Sequence, residues 1–303
     1  MNVSFYTFDS AYDDLQISVV SVLPDAGPKA VLQLAHGMCG TKERLIPFME
    51  YLAGEGIACF ANDHRGHGAS VRSEKDLGYM YDGGRQALVA DMKMLTDRIK
   101  TQYPDIPIFL LGHSMGSMAA RVYLRHYPDA VHGVIICGSP GYNPMAPVIC
   151  RLLSILCRCG LGRIRTRIAQ TMTSRIYNRR FASEGPQAWV CSDPQVRMAF
   201  NESPKHNFKF TVNASRALLG LMQETYSTQG WKNRCSELPI LFLAGNDDPC
   251  AGGPSGIDRA LAVLHEAGYR RISVKIYPAM RHEILNEIGK ERVWRDILEF
   301  IGQ

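Results

Sequence analysis

The stretch Leu110-Leu111-Gly112-His113-Ser114-Met115-Gly116 narrows what this chain can fold into more than any other. An apolar run over 106–111 precedes it and predicts a buried strand, and 118–126 follows with the composition of a helix. A G-x-S-x-G at a strand-to-helix junction is a turn so tight that the residues two away from the serine must lack bulky side chains. Gly112 and Gly116 meet that need, leaving Ser114 Oγ above the sheet edge with a helix N-terminus beneath it. Glycine and serine are common, and an ordinary strand-to-helix turn looks similar, so the surrounding sequence has to carry the rest.

The surroundings alternate short apolar runs with helical spacing. Residues 3–8 and 15–23 are rich in β-branched side chains and separated by Asp13-Asp14, which predicts an antiparallel hairpin at a sheet edge. Runs at 30–35, 56–61, 106–111, 131–137, 239–244 and 272–277 bring the strand count to eight. Helices are predicted over 42–54, 84–103, 118–126, 257–267 and 283–301. In the second of these Leu88, Met92, Leu95 and Ile99 share a face, and Pro104 stops it. Short buried strands alternating with helices predict an α/β chain, a mostly parallel eight-stranded sheet with helices on both faces. The alternation lapses over 141–235, between Pro140-Gly141 and the strand at 239. This helical insertion follows the strand after the elbow, so it is expected as a lid above Ser114, with 1–140 and 236–303 as the core.

A serine hydroxyl needs a base within hydrogen-bond reach, itself oriented by a carboxylate. With an elbow serine these partners follow in the order acid, then histidine. His206 lies in the insertion and His265 inside a helix, whereas His282 follows the last strand, at the edge where strand ends gather. His282 is therefore the expected base. The preceding strand ends in Gly245-Asn246-Asp247-Asp248-Pro249, and two adjacent aspartates point different ways. Pro249 biases Asp248 to an extended backbone, which favours Asp248 as the acid and leaves Asp247 as the alternative. The oxyanion needs backbone N–H donors. Met115 at the helix start supplies one, and Met38, after the bend at Gly37, is expected to supply the other.

With these pieces in place, the sequence resembles the monoacylglycerol lipase/lysophospholipase branch of the α/β-hydrolases, the group that includes the S33-type serine aminopeptidases. The resemblance rests on His36-Gly37-Met38, on the run from Asp63 to Gly68, on Gly112 to Gly116, on Gly245 to Pro249, and on Tyr277 to Glu287 around Arg281-His282-Glu283. It covers nearly everything outside the insertion. It implies an α/β-hydrolase fold, a triad of Ser114, Asp248 and His282, and no metal. The reaction it implies is cleavage of a carboxylic ester, with a monoacylglycerol or lysophospholipid as the expected substrate. A small-ester carboxylesterase and a serine aminopeptidase are the alternatives on the same scaffold. A ligand-binding protein without turnover is a third, disfavoured because nucleophile, acid, base and oxyanion loop are all intact.

Other candidates read as structural. Asp63, His64 and His67 suggest a metal, but the glycines among them indicate an ordered loop; His36 and His113 are expected to order the loops beside the site. Cys150, Cys157 and Cys159 lie on an apolar helical run with no fourth ligand at zinc spacing. Gly252-Gly253-Pro254-Ser255-Gly256 follows the acid loop instead of opening a first βα turn, so no cofactor is expected. At 46% hydrophobic and 21% charged residues with net charge +5, the chain reads as a globular enzyme with no nucleic-acid partner. Neither a signal peptide nor a spanning helix is expected. Nine irregularly spaced cysteines point to free thiols and the cytoplasm.

The insertion carries the substrate signal. No acidic residue stands between Asp129 and Glu184, whereas eight arginines do: Arg151, Arg158, Arg163, Arg165, Arg167, Arg175, Arg179 and Arg180. Residues 146–161 are otherwise apolar. A helix there is expected to contact acyl chains with its apolar face while the arginines beside it meet an anionic lipid surface; the alternative is a helix packed on the protein body with its arginines solvated.

Overall fold

The computed structural model describes residues 1–166, 176–231 and 233–303. Eight strands form one sheet: β1 (Asn2–Asp9), β2 (Gln16–Leu23), β3 (Ala30–Ala35), β4 (Ile57–Asn62), β5 (Ile108–His113), β6 (Gly133–Cys137), β7 (Ile240–Gly245) and β8 (Ile272–Tyr277). Their spatial order is β1-β2-β4-β3-β5-β6-β7-β8. The β1–β2 hairpin is antiparallel and β2 pairs antiparallel with β4; every later pairing is parallel.

Strands β3 to β7 are buried along their whole length because helices cover both faces. Alternation decides which face each side chain serves. Val31, Ala35 and Leu110 join one core with α2 (Gly84–Gln102), α3 (Met115–His126) and α7 (Gly253–Glu266). Leu32, Leu34 and Leu111 join the other with α1 (Ile46–Gly54) and α8 (Glu291–Ile301). Ala35 lies opposite Gly112, His113 opposite Cys137, and Gly245 opposite Tyr277. The loops after β3, β5, β7 and β8 therefore leave the sheet at one edge.

Several boundaries differ from the periodicity, each for a local reason. The helix expected at 42–54 is a 3-10 turn (Lys42–Leu45) followed by α1, because Pro47 suits a helix's first turn. Pro254 likewise starts α7 at Gly253. The last helix starts at Glu291, not 283, since Gly289 adopts φ +76° and turns the chain just before it.

Within 141–235 lie α4 (Ala146–Arg158), a 3-10 segment (Asn178–Glu184), α5 (Pro194–Glu202) and α6 (Val212–Thr225). Helix α6 packs against α2 and α3 as well as α4, so it joins the cover to the helical layer of the core. Ala146 and Leu153 of α4 pack on Val212 and Leu219 of α6. The opposite face of α4 is bare: Val148, Leu152 and Ile155 are 50%, 58% and 54% exposed. Among the described residues, no helix is long and apolar enough to cross a membrane.

Candidate active site

Ser114 closes β5 with φ 53° and ψ −117°, a conformation L-residues rarely adopt. Packing enforces it. A Cβ at Gly112 would overlap the Gly116 carbonyl, and a Cβ at Gly116 would overlap the carbonyls of Ala35 and His36. The Ser114 N–H donates to Cys137 O (3.0 Å) across the sheet, and its carbonyl accepts from Ser117 and Met118 in the first turn of α3.

His282 reaches this serine from the loop after β8, with Nε2 2.8 Å from Ser114 Oγ and Nδ1 2.9 Å from Asp248 Oδ2. Asp248 is itself oriented: its Oδ1 accepts the Cys250 N–H at 2.8 Å. Burial alone would lower the His282 pKa, but the Asp248 carboxylate outweighs it and the net shift is upward. His113 holds the His282 carbonyl through Nε2 (3.0 Å), and burial lowers its own pKa to about 4, so it is a neutral donor there. Asp247 turns away and pairs with Arg180 at 2.8 Å.

Met38 and Met115, the expected oxyanion donors, both line the cavity above Ser114. Neither N–H has a protein acceptor among the described residues. The peptide carrying the Met38 N–H is anchored through its carbonyl end. His36 Nδ1 donates to Gly37 O at 2.8 Å, and His36 Nε2 accepts the His64 N–H at 2.9 Å. These bonds need a neutral ring, and burial lowers the His36 pKa to about 4.

Asp63 serves loop structure. Its Oδ2 takes the buried Lys42 ammonium (2.7 Å) and the Ala69 N–H, and its Oδ1 takes the Lys42 N–H. His64 and His67 are buried beside His36, with ring centroids 4.3 and 5.2 Å from it. On α4, Cys150 gives its thiol to Arg216 O of α6.

The cavity has two chemistries. Met118, Leu218, Leu219 and Met222, from α3 and α6, contribute apolar wall. Arg44, Glu283, Asn286 and His206 contribute a polar cluster; sequence reasoning weighed His206 only as a base and Glu283 only as part of a motif, and did not bring the four together. In it Arg44 pairs with Glu283, Asn286 donates to Glu283, and His206 stacks on Phe200. The pair spans 239 residues, which no local pattern reveals. Cys250, Tyr177 and Trp189 also line the cavity unanticipated, Trp189 with its ring 5.0 Å from that of His282.

Two expectations about the insertion need correction. Helix α4 was expected to touch acyl chains, yet it contributes nothing to the cavity wall: its inner face is spent on α6, and Leu152 and Leu156 point outward. Arg163 and Arg165 are not a free basic edge. Arg163 pairs with Asp76 and stacks on Tyr79, while Arg165 donates to the carbonyls of Lys75, Leu77 and Lys209. Arg167 and Arg175 lie outside the described residues.

Residues 26–289 match the family described as serine aminopeptidase, S33. The chain belongs to this S33 hydrolase family. It is similar to the monoglyceride lipase homolog of Monkeypox virus, 37% identical over 283 residues that cover 92% of this chain and 91% of that protein. The monoacylglycerol lipase of Mycolicibacterium smegmatis is 26% identical over 286 residues, covering 92% and 90%. A thermostable carboxyl esterase from Bacillus coagulans, solved in complex with glycerol, superposes with a TM-score of 0.90 at 26% identity, covering 100% of this chain and 98% of that one. This member of the S33 family is an ester hydrolase with the α/β-hydrolase fold.

Proposed function

We propose that Ser114, His282 and Asp248 are the nucleophile, general base and orienting acid of a hydrolase that cleaves a lipid-like acyl ester, a monoacylglycerol or lysophospholipid. The observation that carries this reading is the unbroken chain Ser114 Oγ, His282, Asp248, at 2.8 and 2.9 Å, at the base of a cavity with an apolar wall and a polar cluster. His282 Nε2 takes the hydroxyl proton as Oγ attacks the ester carbon. The oxyanion is received by the N–H groups of Met38 and Met115. Collapse breaks the ester C–O bond, and the alcohol leaves with the proton held on Nε2. Water then repeats the sequence on the acyl-Ser114 ester and releases the carboxylic acid.

The apolar wall suits an acyl chain, and the Arg44–Glu283–Asn286 cluster suits a hydroxylated alcohol. The similarity to monoglyceride lipases, and to an esterase solved with glycerol, supports the same substrate class. An aminopeptidase needs a free carboxylate for the substrate ammonium. The carboxylate of the cavity, Glu283, is taken by Arg44. Glu184 is taken by Arg281, Glu224 by Arg85 and Asp193 by the start of α5, and Glu202 is exposed and does not line the cavity. This speaks against the aminopeptidase reading.

The bare face of α4, flanked by exposed Arg151 and Arg158, supports docking on an anionic lipid surface. Nine free cysteines fit a reducing compartment, the cytoplasm. The test is a chain-length series of p-nitrophenyl esters with Ser114→Ala and a fluorophosphonate label, and vesicle binding with Leu152→Ser/Ile155→Ser. We expect decanoyl over acetyl esters, labelling lost in the Ser114 variant, and weaker vesicle binding with short-ester turnover kept in the α4 variant. Preference for acetyl esters together with indifference to anionic vesicles would leave a small-ester carboxylesterase.

A further inference from the structure

We infer that Asp248, Cys250 and His282 form an inhibitory site for a zinc-class divalent cation, on the side of the imidazole away from Ser114. The inference rests on the catalytic reading above for its effect on turnover, but not for binding. The donors are one carboxylate oxygen, one thiol sulfur and one ring nitrogen, all within 4.8 Å of one another, on three buried residues. Zinc takes O and N at about 2.0–2.2 Å and S at about 2.3 Å, which in a tetrahedron places donors about 3.3–3.8 Å apart. Side-chain movement of about 1 Å therefore closes the set.

The acid loop makes the arrangement. The Cys250 N–H donates to Asp248 Oδ1, which folds the chain back so that the thiol lies beside the carboxylate and imidazole. Ester hydrolysis has no use for this thiol. A mixed O, N, S set suits a borderline ion such as zinc better than magnesium or calcium. Tyr177, which lines the same cavity, or a water fills the fourth position. Cys250, Tyr177 and His282 all line the cavity, so an ion has a route in.

Binding exchanges a proton for metal with no redox change. The ion displaces the thiol proton to solvent, and the Nδ1 proton moves to Nε2, so the metal-bound imidazole stays neutral. Two anionic donors and a neutral imidazole then cancel the dication's charge, as a buried site requires. A metal on Nδ1 replaces the Asp248–His282 hydrogen bond and leaves Nε2 protonated toward Ser114, so Ser114 loses its base.

The test titrates chelator-buffered zinc chloride against the full chain, Cys250→Ser and Cys250→Ala, each normalised to its own metal-free esterase rate. A parallel titration with cadmium reads the ultraviolet thiolate-to-metal absorption, which needs no turnover. Reversible zinc inhibition is expected, its midpoint rising at least about tenfold in both variants. The cadmium band should be smaller by one thiolate in both variants and intact in Ser114→Ala. If one variant fails to fold, the other carries the comparison. Unchanged zinc sensitivity, identical cadmium spectra, or a wild-type protein indifferent to millimolar zinc overturns the inference. Hydrolysis that survives in Ser114→Ala overturns the catalytic reading instead and leaves the cadmium result standing.

Discussion

Asp248→Asn tests the site at its most constrained atom. In the wild type, Nδ1–H of His282 donates to Asp248 Oδ2, which leaves the Nε2 lone pair free to take the Ser114 proton. The substituted amide has one oxygen to offer, and the Cys250 N–H already requires it at the Oδ1 position. The amide NH₂ therefore faces Nδ1. His282 must accept there and carry its proton on Nε2, pointing at Ser114, where it cannot act as a base. Flipping the amide would restore the tautomer but leave the buried Cys250 N–H facing another N–H, a cost of about 1–3 kcal/mol. The competent form is then a minority of about a tenth to a hundredth. The lost negative charge beside the forming imidazolium supplies the remainder, for a fall in kcat of about 10⁴, or about 5 kcal/mol. Asp247→Asn loses an exposed pair with Arg180 and should cost at most about 1 kcal/mol of stability, with kcat nearly unchanged. The assay is steady-state hydrolysis of a soluble p-nitrophenyl ester, with circular dichroism to confirm folding. A folded Asp248→Asn protein within tenfold of wild type, or a larger loss in Asp247→Asn, would refute the reasoning.

Two further outcomes follow from the same geometry. His282, the proposed base, must be neutral to act, and its pKa is raised by Asp248 against the pull of burial. As the pH falls, the imidazolium forms early, so the acid limb of kcat/KM should lie above the ordinary value of 6.5; a limb below it would contradict the ion pair. Gly116→Ala places a methyl against the carbonyls of Ala35 and His36, and should lower unfolding stability by about 1–3 kcal/mol and depress turnover. An unchanged denaturation midpoint would mean that the elbow is looser than described.

Sequence alone was enough for the features that are written locally. Gly112 and Gly116 mark a turn that other residues obstruct, fully apolar runs mark doubly covered strands, and their alternation with helical spacing marks the parallel sheet. The order serine, acid, histidine along strand ends then picked out Ser114, Asp248 and His282 as candidates. Local patterns were weaker at boundaries. The helical spacing after His282 continued through Gly289, and only the observed turn there shows that α8 begins at Glu291.

What required the tertiary structure was every property of a pair of distant residues. The bond of Asp248 to His282 spans 34 positions, and Arg44 meets Glu283 across 239. Periodicity showed that α4 has a wide apolar face but not which part of it α6 would cover, nor that Leu152 and Leu156 would face outward, away from the cavity. Charge counting read Arg163 and Arg165 as a free basic edge, yet they are occupied by Asp76 and by backbone carbonyls. Backbone conformation answers to neighbouring residues, so a sequence displays it. Which side chains meet depends on how whole elements pack, and hydrophobicity and charge are silent about that until the sheet brings the strand ends together.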